Sequence, residues 1–344
     1  MMSWKDTLGG GPSCITILPT YKCTAACANC CFGSHPWVTG RIEQDSLKRY
    51  ILDASGYRSL QLVVFSGGEC FMLGDDLAEL IAFATSLGLA TRCVTNAYWA
   101  PTLEDAKRRL APMITAGLTE LSISTGDQHA RFVPLENIVY AMRAAFDANI
   151  TVATMVELSG DRRVTETGLR SMPLFESLLG KFPLRNIHVD ESPWISMDVG
   201  ERSVEYDSSQ LVNASNLHTR PRCTSVLDTM VINPQEELYA CCGITSQQIP
   251  EMNLGKITHR SLRDSYDGAR EDFMKIWIST EGPEKILAWA ATIDPMIDWQ
   301  NRFAHQCDSC RFLFEDERVG NVIREHYLER IPDVLVSRAL LSAV

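Results

Sequence analysis

The 344-residue chain has no long hydrophobic run and no excess of positive charge. No apolar stretch approaches the ~20 residues that a membrane-spanning helix needs, so no membrane partner is expected. Binding to nucleic-acid phosphates needs clustered Lys and Arg, whereas the net charge here is -11, so a nucleic-acid partner is not expected either. The first 13 residues lack the apolar segment and cleavage site of a secretory signal, which predicts a cytoplasmic protein.

The chain has 12 cysteines, and they are unevenly distributed. Without a secretory signal they do not predict a disulfide framework, because a reducing cytoplasm keeps thiols free to bind metal or to react. Four lie at 23–31, two at 241–242, two at 307–310, and four stand alone. This grouping indicates metal sites.

From Cys14 to about Val199 short apolar runs alternate with amphipathic stretches, a rhythm typical of strand–helix units around a parallel sheet. Six such units predict a partial (β/α)6 barrel of the TIM-like class. The predicted strands are Ile15–Leu18, Leu60–Phe65, Ala90–Thr95, Glu120–Ser124, Thr151–Glu157 and Asn186–Asp190. The predicted helices are Glu43–Ala54, Asp75–Leu87, Leu103–Ala116, Leu135–Ala148 and Thr165–Leu179.

The strand–helix rhythm stops after about Gly200, where the composition turns more polar. We therefore predict an N-terminal tail (1–13), a barrel (14–205) and a small C-terminal domain (206–344). The small domain is expected to contain a hairpin over Val226–Tyr239 and a final helix, Asp316–Leu341, that breaks at Pro332.

Three cysteines, Cys23, Cys27 and Cys30, fall in the loop that directly follows the first predicted strand. Three thiolates at this spacing suit three corners of an iron–sulfur cube and leave the fourth iron without a protein ligand. A zinc site is the alternative, with Cys31 or His35 as its fourth ligand.

The segment Ser66-Gly67-Gly68-Glu69 follows the second predicted strand, so both loops leave carboxyl ends of strands, where parallel β/α folds carry their chemistry. Glycines allow close backbone approach, and a carboxylate accepts hydrogen bonds from an ammonium group. Together the two loops resemble the radical S-adenosylmethionine superfamily. The resemblance implies that the open iron of a [4Fe–4S] cluster chelates the methionine end of S-adenosylmethionine, and that Gly67, Gly68 and Glu69 bind its amino group.

Two further strand ends carry polar residues that the same resemblance makes candidates for cofactor binding. Asn96 and Ser124 match by position residues that hold the ribose or the methionine carboxylate, although a capping or turn role is an equal alternative. Asp127 and His129 could contact substrate or simply form hydrogen bonds within their loop.

A second set of cysteines lies in the C-terminal part: Cys223, Cys241, Cys242 and the pair Cys307 and Cys310. Their order resembles the twitch domain, a shortened form of the SPASM cluster-binding extension of radical enzymes. The resemblance implies an auxiliary [4Fe–4S] cluster held by Cys223, Cys241, Cys307 and Cys310. Structural zinc on the same four thiolates is the alternative.

Cys242 directly follows a predicted ligand, so in an extended segment its side chain points the opposite way. A buried, inert thiol is the ordinary alternative for a free cysteine. Several stretches, including Leu238-Tyr239-Ala240-Cys241-Cys242 and Cys307-Asp-Ser-Cys310-Arg-Phe-Leu-Phe, resemble the epipeptide peptidyl epimerases.

This resemblance implies that Cys242 donates a hydrogen atom in an L-to-D epimerisation within a ribosomal peptide. An external donor such as flavodoxin or ferredoxin would supply the electrons. The alternatives are thioether or carbon–carbon crosslinking of a peptide, epimerisation of a sugar, and a non-catalytic metal-binding scaffold. Cys70, which follows Glu69 where an apolar residue is expected, is either a second reactive thiol or a packed one.

Overall fold

The computed structural model describes residues 11–180, 182–183, 187–197 and 205–342. Most of the predicted tail therefore lies outside the described residues, as do Asn186 of the sixth predicted strand and part of the polar segment after Gly200. The described chain contains no helix that is long and apolar enough to cross a membrane.

Nine strands form one sheet in the order β6-β5-β4-β3-β2-β1-β7-β8-β9, in which β1 to β7 pair in parallel and β8 and β9 are antiparallel. The strands are β1 (Cys14–Ile17), β2 (Leu62–Phe65), β3 (Ala90–Thr95), β4 (Glu120–Thr125), β5 (Thr151–Leu158), β6 (His188–Pro193), β7 (Thr229–Ile232), β8 (Glu237–Tyr239) and β9 (Asn253–Lys256). The first six confirm the predicted barrel strands: β3 has the predicted ends, and the ends of the others shift by at most three residues.

The helices alternate with the strands as far as β6 and then follow one another in the C-terminal part. They are α1 (Gln44–Ala54), α2 (Asp75–Ser86), α3 (Leu103–Ala116), α4 (Asp127–Ala130), α5 (Leu135–Asp147), α6 (Glu166–Arg170), α7 (Pro173–Leu179), α8 (Leu262–Ala269), α9 (Phe273–Glu281), α10 (Pro283–Ile293), α11 (Gln306–Glu315) and α12 (Glu317–Ser342). Side chains cap the first turns of several helices. At the start of α3, for example, the Thr102 hydroxyl accepts a hydrogen bond from the Asp105 amide at 3.1 Å.

Two predicted helices differ from the structure, and proline is involved in both. The predicted helix Thr165–Leu179 is two helices, because Pro173 has no N–H to continue α6 and instead begins α7. The predicted break at Pro332 is wrong, since α12 runs through it without interruption. A proline removes one backbone donor but does not by itself end a helix whose other turns are intact.

The predicted hairpin forms from β7 and β8, and its turn is held by the Asn233 side chain, which accepts from the amides of Gln235 and Glu237 at 3.0 and 2.9 Å. The position of this hairpin in the sheet was not predicted. β7 pairs in parallel with β1, in the register Cys14↔Thr229 to Ile17↔Ile232. The C-terminal part therefore extends the barrel sheet directly.

Buried side chains form two hydrophobic clusters on this sheet. The larger surrounds the barrel strands and helices, and the smaller one packs α9 to α12 against β7 and β8. Leu18, just beyond β1, belongs to the second cluster, and Tyr21 and Phe32 pack on it from the cysteine loop. The loop after β1 is thus held between the two parts of the molecule.

Candidate active site

A cavity of about 350 Å³ opens at the carboxyl ends of the barrel strands. Seven of the predicted site residues line it: Cys23, Cys27, Cys30, Gly67, Gly68, Asn96 and Ser124. Residues after β6, among them Trp194 and Met197, close one side, and Ile244 reaches it from the C-terminal part. The structure therefore brings the two predicted motif loops to one cavity.

The first cysteine loop is closed by its own backbone and directs its thiols into this cavity. The Cys23 amide donates to the His35 carbonyl at 3.3 Å, and the Cys30 amide donates to the Cys27 carbonyl at 3.2 Å. Donors also point at sulfur: the Ala25 amide lies 3.4 Å from Cys23 Sγ, and the Ser34 amide lies 3.4 Å from Cys30 Sγ. Hydrogen bonds to cysteine sulfur tune the potential of iron–sulfur clusters, so this donor set fits such a group.

The Gly-Gly-Glu loop packs directly on the backbone that leads into the cysteine loop. The Gly68 amide donates to the Thr20 carbonyl at 2.8 Å, and the Glu69 amide donates to the Lys22 carbonyl at 2.9 Å. A Cβ at Gly68 would meet the Lys22 carbonyl and lie 2.5 Å from the Tyr21 oxygen. Gly67 has a φ of 105°, and a Cβ there would meet the Thr20 carbonyl. Gly67 and Gly68 therefore both require glycine for contact between the two loops, in addition to any approach to a ligand.

Glu69 is only 1% exposed and is not among the residues that line the cavity, although its neighbour Gly68 and its partners Thr95 and Asn96 are. Its carboxylate accepts from the Phe71 amide at 3.1 Å, the Asn96 amide at 2.9 Å and the Thr95 hydroxyl at 2.9 Å. Burial raises the pKa of this carboxyl to about 7 despite those hydrogen bonds. A carboxylate offers about four lone-pair sites, so one further donor can still be accepted.

Asn96 connects the Gly-Gly-Glu loop to the cysteine loop. Its amide nitrogen Nδ2 lies 3.6 Å from Cys23 Sγ and donates to Thr24 Oγ1 at 3.2 Å, while its backbone amide binds Glu69. The side chain is 5% exposed and lines the cavity. Ser124 lines the cavity from β4.

His129 and Glu157 form a hydrogen-bonded pair on the cavity wall. The Gln128 amide also donates to Glu157 at 3.0 Å. The described residues that line the cavity include no Lys or Arg. Glu157 is the one residue among them with a carboxylate. We did not predict Glu157 from the sequence, although its place near the carboxyl end of β5 is the signal that identified Asn96 and Ser124.

Asp127 does not line the cavity. Its carboxylate accepts from the amides of Arg163 at 2.9 Å and Val164 at 3.3 Å, which fixes the loop after β5. Of the two residues considered for substrate contact, only His129 faces the cavity.

Three cavity-lining residues carry buried polar atoms that lack a hydrogen-bond partner: Ser34 Oγ, Thr125 Oγ1 and Trp194 Nε1. Ser34 is 4% exposed and Thr125 is 1% exposed. An unsatisfied buried donor or acceptor costs about 1–3 kcal/mol. These atoms fit a polar ligand that fills the cavity.

The second cysteine set is gathered in the C-terminal part. Burial raises the pKa of Cys310 well above its usual range, and the nearby thiols of Cys241, Cys307 and Cys223 raise it further. A Cβ at Gly243 would lie 3.0 Å from Cys307 Sγ and 3.7 Å from Cys241 Sγ. The four predicted auxiliary ligands therefore lie close enough to influence one another's charge, and Gly243 lies beside two of them, Cys307 and Cys241.

No group of three or more His, Cys, Asp or Glu side chains in the described residues is arranged to hold a single metal ion. A four-iron cluster makes a different demand, because each iron takes its own thiolate.

The remaining thiols differ in exposure. Cys241 is 6% exposed and Cys242 is exposed, as expected for neighbours that point in opposite directions. Cys242 is not among the residues that line the cavity, whereas Cys31 is. Cys70 is fully buried, with its Sγ 3.2 Å from the Val94 carbonyl, and belongs to the barrel core.

No family model matches the chain. The sequence is similar to the "Putative peptide biosynthesis protein YydG" of Bacillus subtilis, with 23% identity over 259 residues, which cover 73% of this chain and 72% of that protein. The structure is similar to native anSMEcpe with bound AdoMet and Cp18Cys peptide, with a TM-score of 0.56 and 12% identity over 96% of this chain and 99% of that one. Streptococcus suis SuiB bound to precursor peptide SuiA matches 76% of this chain and 67% of its own, with 14% identity and a TM-score of 0.43.

The fold predicted from the strand–helix rhythm is confirmed by the nine-stranded sheet and by its match to a solved structure. The cysteine loop and the Gly-Gly-Glu loop meet at one cavity of that fold. The predicted resemblance is confirmed in that the chain is similar in sequence to a peptide biosynthesis protein and in fold to a protein solved with bound AdoMet.

Proposed function

We propose that this enzyme inverts the α-carbon of a residue in a ribosomally made peptide, with Cys242 as the hydrogen-atom donor. The observation that carries the proposal is the exposed Cys242 directly after the buried Cys241. Four of the five gathered C-terminal thiols are at least partly covered and suit cluster ligation, which leaves Cys242 free to meet a substrate. Similarity to a peptide biosynthesis protein, and a fold shared with an enzyme solved with a peptide, support a peptide substrate.

Two cysteine groups would hold [4Fe–4S] clusters, one on Cys23, Cys27 and Cys30, the other on Cys223, Cys241, Cys307 and Cys310. The three ligands of the first group would leave one iron without a protein ligand, and a cluster held there would supply the electron for cleavage of S-adenosylmethionine to methionine and a 5′-deoxyadenosyl radical. The second would form the auxiliary centre of a twitch domain.

The chain's own residues would hold S-adenosylmethionine largely through neutral groups. Gly67, Gly68, Asn96 and Ser124 line the cavity where the methionine end and ribose would lie. Glu69 has one acceptor position left for the amino group. Glu157 has the one carboxylate among the described lining residues, and its negative charge would offset the positive sulfonium of S-adenosylmethionine.

In this proposal one turnover moves two hydrogen atoms, and Cys242 supplies the second. The substrate α-hydrogen would end on 5′-deoxyadenosine, and the hydrogen of the Cys242 S–H bond would pass to the opposite face of the α-carbon. An external one-electron donor, such as flavodoxin or ferredoxin, would restore the thiol with one electron while solvent supplies one proton. Exposure of Cys242 gives that proton a direct route.

The test is turnover of the reconstituted enzyme in deuterated buffer with a candidate precursor peptide, such as one encoded beside its gene. Because the thiol hydrogen exchanges with solvent, each inverted residue should gain one deuterium. The Cys242→Ala variant should still form 5′-deoxyadenosine but no inverted residue. Normal inversion by that variant would refute the donor role, and loss of inversion in Cys31→Ala with retention in Cys242→Ala would move the role to Cys31. A product lighter by two hydrogens would show crosslinking instead.

A further inference from the structure

The residue that holds Cys242 in place is Ser225. Its hydroxyl oxygen accepts from the Cys242 backbone amide at 2.9 Å and lies 3.2 Å from Cys242 Sγ. One side chain thus contacts both the backbone and the sulfur of the exposed thiol, across 17 residues of sequence.

The backbone of Ser225 is itself fixed. Its carbonyl accepts from the amides of Asp228 at 3.2 Å and Thr229 at 2.9 Å, which forms the turn into β7. Within this turn Leu227 adopts a φ of 64° and donates to the Ala240 carbonyl at 3.0 Å. The turn is therefore tied to the segment that immediately precedes Cys241, so the position of Ser225 relative to Cys242 is set on both sides.

A serine hydroxyl has one donor and two acceptor positions. One acceptor position is occupied by the Cys242 amide, which leaves the proton and the other lone pair for sulfur. In the thiol form S–H can donate to Ser225 Oγ, and in the thiolate form the hydroxyl can donate to sulfur. The same contact can therefore persist both in the thiolate, formed when the external electron reduces the thiyl radical, and in the thiol that the proton then restores.

We infer that Ser225 is the positioning residue for the hydrogen-donating thiol, an inference that rests on the proposed function. It restricts the side-chain rotation of Cys242, so that the thiol stands at one position when the substrate radical forms. Without the Ser225 hydroxyl, hydrogen transfer from Cys242 to the substrate radical would be slower. More turnovers would then end with 5′-deoxyadenosine but no inverted residue.

The test compares variants in the reconstituted enzyme with a peptide that the wild type inverts. Ser225→Ala and Ser225→Val should lower the ratio of inverted residue to 5′-deoxyadenosine by about tenfold or more, because small misplacements of a reacting group are costly. Ser225→Thr keeps the hydroxyl and should restore most of the ratio. Thr224→Ala, an exposed neighbour, is the matched control. Iron and sulfide content should stay at the wild-type value in all four.

The outcomes separate the two proposals. Inversion by Cys242→Ala would remove the donor role and the positioning role with it. If Cys242→Ala stops inversion while Ser225→Val keeps the wild-type ratio, the donor role stands and the positioning role of Ser225 is refuted. Equal losses in Ser225→Thr and Ser225→Val would also refute it, since the hydroxyl would then be irrelevant.

Discussion

The contact between the two motif loops leads to a specific prediction for Gly68→Ala. A Cβ at this position would lie 2.5 Å from Tyr21 O and from the carbonyl carbon of Lys22, and both contacts are with backbone. The Lys22 carbonyl oxygen would be closer still, so the loops must separate by more than about 0.5 Å before the contact is tolerable. Overpacking of this kind costs about 1–3 kcal/mol of folding free energy. The displaced cysteine loop should also lower 5′-deoxyadenosine formation by up to about 100-fold.

The assay is anaerobic formation of 5′-deoxyadenosine with dithionite, together with the thermal midpoint Tm of the reconstituted protein. Gly268→Ala is the matched control, because Gly268 is an exposed residue of α8 with no atom within 4 Å of its would-be Cβ. That control should be neutral or more stable by about 0.5–1 kcal/mol, as expected for alanine within a helix. Wild-type activity and Tm in Gly68→Ala would show that the loops do not need this contact, contrary to the structure.

Three further predictions concern other parts of the site. On the proposed function, Gly243→Ala should lose iron from the C-terminal cysteine group and keep it in the first, because its Cβ would lie only 3.0 Å from Cys307 Sγ; unchanged iron and sulfide content would contradict this. Glu157→Gln should weaken S-adenosylmethionine binding by about tenfold through loss of the lining carboxylate, measured by equilibrium dialysis against the wild type. The pKa of Glu69 is raised to about 7, so the contribution of its protonation to stability is full below about pH 4.5 and is lost as the pH rises through 7. The Tm of the wild type should therefore fall relative to the Tm of Glu69→Gln between pH 5.5 and 8. A constant difference between the two Tm values would refute the raised pKa.

The first cysteine loop was predictable because its information is local. Spacing alone places three thiols in one loop, and the strand before it fixes which end of the sheet they occupy. The two glycines of the neighbouring loop were also predictable, but their reason was only partly foreseen. They make room for the backbone of residues 20–22 as well as for a ligand, and a one-dimensional pattern does not reveal which backbone lies opposite.

The features that escaped prediction depend on the register and order of strands. His129 and Glu157 meet because β4 and β5 pair with Thr125 opposite Val156, a fact that neither residue's neighbourhood encodes. The hairpin was evident from its turn, but its docking of β7 beside β1 is a choice among sheet edges that hydrophobic periodicity does not make. The helix α12 also continues through Pro332, although the rule that proline breaks a helix predicted an end there.

The pairing of β1 with β7 has a consequence for how far apart the two cysteine groups can move. One group follows β1 along the chain, and the other flanks the hairpin that begins with β7. Neighbouring strands of a sheet are held about 4.8 Å apart by backbone hydrogen bonds. The separation of the two groups is therefore fixed by a continuous ladder of backbone hydrogen bonds and not by a linker between two independent domains.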